Sequence, residues 1–237
     1  MKTLFITLLI ILAIGLGVFY FTPKTSTVEI SVMRDITSPH LAEPVSSEII
    51  PFYGLSANEW NGAIFRFQNI SNVSFNPVAE ASISSTNEWI SNEFQRNNDI
   101  KVFNGQVAQI ISDSTKYKVG WWHASVYLSI ANELNLLSKS PAQKRILIVY
   151  SSLMENEPNY SFYCEHTFSM LQQAPEKVKE HFEKEQPLNN LNRVEVYLIY
   201  QPVNAFSDLQ YQVVAGFYKT MLTAAGAKVT ITANLTN

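Results

Sequence analysis

Residues 146–150 read Ile-Leu-Ile-Val-Tyr, an apolar run without polar alternation, entered from Lys144-Arg145. A strand with one face in water alternates; one that is apolar throughout is covered on both faces, as a central strand of a parallel sheet is. Parallel neighbours are joined by crossovers of about a dozen residues or more, usually helical. The run therefore demands helices above and below it.

Around it, residue patterns predict strands over 28–34 and 63–68, with a third short strand over 78–84. The link between the second and third is too brief for a crossover and predicts an antiparallel pair. Residues 41–55 carry Pro44, Pro51 and Gly54 and read as a loop or a short broken helix. Helical stretches are expected over 87–96 and 102–112. Another covers 124–138, where Tyr127, Ile130, Ala131, Leu134 and Leu137 recur at helical spacing. A helix over 175–185 accepts Pro175 in its first turn, and 194–200 is the next strand. The last helix is expected to start at Ser207, with Gln210 completing a capping box. Val213, Phe217 and Met221 share one face, and Gly226 suits the position just past the end. Residues 229–233 close the sheet. With right-handed crossovers, the prediction is an α/β fold: a three-layer, doubly wound, mostly parallel sheet of Rossmann-like architecture with one early antiparallel strand.

Ahead of this domain, residues 4–21 form an uncharged apolar run ending in Phe19-Tyr20-Phe21. That length suits a transmembrane helix, and the aromatics fall where an interfacial belt would lie. A cleaved signal peptide has a shorter apolar region ending at small residues; Ala13, Gly15 and Gly17 offer only weak sites of that kind. The expected division is a transmembrane anchor over 1–24 and one α/β domain over 25–237. The polar link 23–27 is too short to let the domain move far from the bilayer. Lys2 on one side and Lys24 and Arg34 on the other nearly balance the positive-inside count. The orientation taken is a single-pass protein with its domain outside the cytoplasm.

Composition excludes several classes of function. A net charge of −3 with no basic stripe lacks the electrostatic footprint of a nucleic-acid binder. One cysteine, Cys164, permits no intrachain disulfide and no cysteine zinc site, and is expected to be buried or half-buried. The four histidines show no ligand spacing. His181 reads as a solvated surface residue and His123 as a helix cap or crevice residue. Gly-x-Ser-x-Gly, Walker A, Gly-x-Gly-x-x-Gly and His-Glu-x-x-His patterns are absent.

The chemistry the chain does offer begins where its first strand ends. Asp35 and Thr37 stand at the carboxyl end of that strand, where open α/β sheets bind ligands. Ser38 and Pro39 follow. Carboxylate and hydroxyl oxygens are hard donors able to hold Mg²⁺ together with water. Two further segments join them: His123-Ala-Ser125 at a helix start, and Ser152-Leu-Met-Glu155 after the central strand. This pattern, with the early antiparallel strand, resembles the von Willebrand factor A domain over about residues 28 to 234. In that family an Asp-x-Ser-x-Ser, a later Thr and a second Asp hold a divalent ion, forming the metal-ion-dependent adhesion site. The resemblance implies Asp35 as the first Asp, Thr37 as the first hydroxyl and Ser125 in place of the Thr. Pro39 replaces the second hydroxyl and Ser152 the second Asp, so the site is degenerate, with Glu155 as a substitute ligand if the loop folds back. Asp35, Thr37 and Ser125 are the expected ligands of Mg²⁺.

On this reading the chain is a membrane-anchored protein-interaction module that binds another protein at the carboxyl edge of its sheet, within a bacterial envelope or transfer assembly. Ser38, Ser125, Ser152 and Glu155 surround Asp35 and Thr37 there. Trp121 and Trp122, in the loop before the 124–138 helix, are either a clasp over the core or a partner contact. The alternative is a Mg²⁺-dependent hydrolase or phosphatase with Asp35 as nucleophile or base. Haloacid dehalogenase-like phosphatases also place an aspartate after strand one, but add a second Asp where Thr37 stands here. A domain retained only for packing in a complex is the third reading.

Overall fold

Every residue of β1 (Thr27–Asp35) after the first is buried, the polar Glu29, Ser31, Arg34 and Asp35 among them. The strand is enclosed because it pairs in parallel on both sides, with β2 (Gly62–Ile70) and with β4 (Lys144–Tyr150). The structure, a computed structural model, describes residues 25–37, 42–71, 76–89, 91–116 and 123–235. After β1 come a one-turn helix α1 (Ser46–Ile49) and a 3₁₀ turn (Ile50–Tyr53), leading to β2. β3 (Val78–Ile83) lies antiparallel on the outer side of β2. α2 (Glu93–Thr115) and α3 (Val126–Lys139) then return the chain to β4. A small hairpin, β5 (Asn156–Glu157) and β6 (Tyr160–Ser161), precedes α4 (Glu165–Gln173) and α5 (Pro175–Glu185). β7 (Val194–Ile199), α6 (Ala205–Ala224) and β8 (Lys228–Thr232) complete the order.

The six main strands run β3-β2-β1-β4-β7-β8. This is a doubly wound order, in which the chain winds outward in both directions from the β1/β4 pair. A mixed α/β fold with a six-stranded, mostly parallel sheet and an antiparallel edge strand fits the Rossmann-like, von Willebrand factor A type of architecture expected from the sequence. Successive residues of β4 explain its apolar run. Ile146 and Ile148 join the core under α1 and α2, with Ile49, Tyr53, Phe103 and Val107. Leu147 and Val149 join the opposite core, with Tyr127, Leu134, Phe182 and Tyr218 from α3, α5 and α6. Each such side chain contributes roughly 1.5–3 kcal/mol when fully buried.

Three local expectations are corrected. The stretches over 87–96 and 102–112 are one helix, α2, which begins only after Asn92. The Asn92 side chain accepts the amides of Phe94 and Gln95, which fixes the start, and no proline interrupts the helix between Asn92 and Thr115. The capping box of α6 is one turn earlier: Asn204 is the cap and Ser207 its reciprocal partner. α4 is an addition that the periodicity did not announce. Gly226 lies at φ +103° directly after the cap of α6, and a Cβ there would come within 2.6 Å of Asn192 Oδ1. Among the described residues no helix is long and apolar enough to cross a membrane; the segment expected to be the anchor lies outside the described residues.

A buried polar contact docks α3 on the sheet. Glu133 accepts from Arg66 Nε at 2.9 Å and from Gln68 Nε2 at 2.9 Å, both on β2. Removing the carboxylate leaves the half-buried Arg66 with only Glu80, at 3.6 Å, and takes from Gln68 its buried acceptor. Glu133→Ala is expected to cost about 3 kcal/mol in urea denaturation, and a loss below about 1 kcal/mol would contradict the docking role.

Candidate functional site

The winding direction reverses between β1 and β4, so the carboxyl ends of these two strands flank the crevice that such folds use. Asp35 is the last residue of β1, and it is 1% exposed. Its Oδ1 accepts the Thr37 amide at 2.8 Å and the Thr37 hydroxyl at 2.6 Å, the local turn that aspartate favours. Its Oδ2 accepts the Ser151 hydroxyl at 2.7 Å. Ser151 follows β4 directly and donates its amide to the carbonyl of Ile199, the last residue of β7, at 3.1 Å. One carboxylate and one serine thus tie the ends of three strands. Leu153, buried at φ 60°, continues the turn, and its amide donates to Ser151 Oγ at 2.8 Å. A bulky residue in the left-handed region costs of order 1–3 kcal/mol and persists only where its surroundings over-determine it.

The other expected site residues distribute around this closure. Thr37 is bound to Asp35 as described. Ser125 stands at the N-cap position of α3, donates its amide to the Ser71 carbonyl at 3.1 Å, and buries a hydroxyl that has no hydrogen-bond partner among the described residues. Ser152 is buried, one residue beyond the serine that meets Asp35; it lies against the Tyr163 hydroxyl. Ser38, Trp121 and Trp122 lie outside the described residues. Sequence reasoning selected Ser152 and passed over Ser151; the signal available was that Ser151 is the first hydroxyl after the apolar strand.

Glu155 folds back, but toward α3. Its Oε1 accepts the Val126 amide at 3.0 Å and its Oε2 the Tyr127 amide at 2.7 Å. These are orphan donors of a helix amino terminus, which favours an anion. Burial outweighs them and pushes the Glu155 pKa up to about 8. In this position the carboxyl group caps the helix.

Of the donors expected for Mg²⁺, Asp35 and Thr37 are engaged with each other, while Ser125 keeps a hydroxyl with no partner among the described residues. Asp35 supplies one carboxylate whose two oxygens already accept three hydrogen bonds, and Glu155 is taken up by α3. Among the described residues, no three His, Cys, Asp or Glu side chains gather as a metal cluster.

Beside the closure is a cleft of about 140 Å³ lined by Ser152, Met154, Tyr163, Tyr200, Ser207 and Tyr211. The Tyr200 and Tyr211 rings lie 4.7 Å apart, and the Tyr211 hydroxyl donates to the Leu198 carbonyl at 3.1 Å. Desolvation, and then the charge of Asp35, raise the Tyr163 pKa. Tyr163 and Val203 are exposed at its rim, and Phe206 (69%) and Leu209 (63%) are exposed in the first turns of α6. The aromatic cluster 159–163, which contains Tyr163, is expected on this edge from the sequence; Phe206 is missed because the expected helix starts after it. Cys164, expected to be buried or half-buried, is instead exposed at the cap of α4, where the amides of Thr167 and His166 lower its pKa. His181 is less solvated than expected: its ring stacks on Tyr160 at 4.0 Å. A larger cleft, about 860 Å³, lies beside α2 and the 3₁₀ turn and holds none of these residues.

No protein-family model matches the chain, and no curated protein does. Several solved structures are similar. The conserved hypothetical protein BatB from Bacteroides thetaiotaomicron is 13% identical, with 87% of this chain and 91% of that one covered and a TM-score of 0.38. The PilB minor pilin of Streptococcus sanguinis (D319A mutant) is 10% identical, covering 90% of this chain and 58% of that one, with a TM-score of 0.43. The pilus adhesin SpaC from Lactobacillus rhamnosus GG, in its open conformation, is 8% identical, covering 90% of this chain and 29% of that one, with a TM-score of 0.42. Likenesses this distant carry no functional argument.

Glu155 makes stability depend on pH. Its pKa is about 8 in the folded chain against an ordinary 4.5, so the folded state holds the proton more tightly. Its contribution is complete below pH 4.5 and is lost as pH rises toward 8, with a slope of up to about 1.4 kcal/mol per pH unit. Glu155→Gln should flatten this part of the stability profile in urea titrations across that range; parallel profiles for the two proteins would contradict the assignment.

Proposed function

We propose that this chain is a membrane-anchored protein-interaction module that captures another protein at the carboxyl edge of its sheet, by apolar contact and without a bridging metal. Residues 4–21 would anchor it, with the domain outside the cytoplasm in an envelope assembly. The observation that carries the reading is the exposure of Phe206 and Leu209 beside the tyrosine-lined cleft. Exposed apolar groups gathered on a rigid element mark interaction surfaces, and aromatic anchors beside a pocket dominate binding energy. The Asp35–Thr37–Ser151 closure supports this rim from beneath. It holds the ends of β1 and β4, from which the turn carrying Ser152 projects.

The test is capture of the partner by cross-linking and co-purification from native membranes, comparing the intact chain with Phe206→Ser/Leu209→Ser in Mg²⁺ and in chelator. Capture should fall at least about tenfold in the double variant, the loss of two anchors at more than 1 kcal/mol each. Stability should change little, since both side chains face solvent. Chelator should leave capture intact. Capture that survives the double substitution, or that disappears with chelator, would overturn the reading.

A further inference from the structure

The two edges of the sheet differ in charge. At the carboxyl edge, beyond the inward-turned Asp35 and Glu155, stand Glu157, Glu165 and Asp208, on the hairpin and the first turns of α4 and α6. At the amino edge of the β4–β7–β8 half stand Lys139, ending α3, Lys144, opening β4, Arg193, preceding β7, and Lys228, opening β8. Their register puts them on one edge: Lys144 pairs with Val28, Val194 with Arg145, and Lys228 with Glu195. Lys139, Arg193 and Lys228 are exposed and Lys144 is half-buried. Glu183 of α5, exposed beside Asn192 and Gly226, also lies near this edge and is paired with Lys179 at 3.8 Å; the other acids nearby are engaged. Glu29 is buried and accepts the Ser140 hydroxyl, and Glu195 accepts the Tyr197 hydroxyl at 3.2 Å.

Helix dipoles account for part of this arrangement, since acids gather at helix starts and Lys139 at a helix end. They do not account for Lys144, Arg193 and Lys228, which lead into strands. The same edge carries the start of β1, and only residues 22–26 separate β1 from the apolar run 4–21. Fully extended, that link spans at most about 18 Å. β1 itself is roughly 30 Å long, so with residues 4–21 in a bilayer the amino edge would lie next to it and the carboxyl edge would point away.

We propose that the amino edge of the β4–β7–β8 half docks on an anionic lipid surface through Lys139, Lys144, Arg193 and Lys228. The proposal rests on residues 4–21 being an anchor, as in the reading above. Docking fixes the tilt of the domain and turns the Phe206–Leu209 rim toward a partner arriving from beyond the membrane. The β2–β3 half stays out of the contact, because Glu88 and Glu93 are exposed there beside Trp89 and Phe94. The attraction is electrostatic, so lipid charge and salt set its strength.

The experiment uses the full chain in vesicles of phosphatidylcholine, alone or mixed equally with phosphatidylglycerol. A donor dye on Cys164, the chain's one cysteine, reports energy transfer to acceptor-labelled lipid. Docked, the domain holds the carboxyl edge far from the acceptors; undocked, it tilts on its link and transfer rises. Transfer should be lower in the anionic vesicles, and salt should erase the difference in the wild-type protein. Lys139→Glu/Arg193→Glu/Lys228→Glu should erase it too, the docked-to-free ratio falling about fivefold or more per cation changed. Transfer independent of lipid charge and salt, in protein that floats with neutral vesicles, would overturn the docking and leave the anchor standing. Failure to float with neutral vesicles would overturn the anchor and the docking together.

Discussion

The carboxylate of Asp35 bridges β1 to the turn after β4, and the arrangement of the site follows from that bridge. Both of its oxygens are committed, one to Thr37 and one to Ser151. A charge buried this deeply is tolerated only when hydrogen bonds replace its water. The bond that closes the switch point therefore also removes Asp35 from the surface. The chemistry of the edge passes from an acidic centre to its rim, where Tyr163, Val203, Phe206 and Leu209 are exposed.

A second buried carboxyl group works beside the first. Glu155 holds the first amides of α3, and the Ala124–Asn156 bridge pairs the residue before the cap with the hairpin. Arg66, Gln68 and Glu133 anchor the same helix further along. The helix that would present Ser125 to a metal in an intact adhesion site is here seated by two acids turned inward. Ser125 keeps at its start a buried hydroxyl without a hydrogen-bond partner among the described residues.

Most of the fold was legible because it rests on periodicity. The unbroken run 146–150 implied a strand covered on both faces, and the short link before β3 implied an antiparallel edge. Element ends were less legible, because a cap depends on which side chain reaches which amide: Asn92 and Asn204 set the starts of α2 and α6, against the expected boundaries. At the site, spacing located Asp35 and Thr37 but could not distinguish Ser151 from Ser152, adjacent residues whose hydroxyls point to different partners across a tertiary contact. The same limit hid the role of Glu155. Its carboxylate meets amides some 28 residues earlier in the chain, a contact that residue type alone does not encode.

The central claim is that the Asp35 carboxylate acts as a structural tie between strand ends and not as a metal ligand. A double-mutant cycle with Asp35→Asn and Ser151→Ala, measured by urea denaturation with Mg²⁺ and with chelator, tests it directly. A coupling of about 1–2 kcal/mol, equal under both conditions, is predicted. Additive substitutions, or coupling that changes with Mg²⁺, would contradict the account.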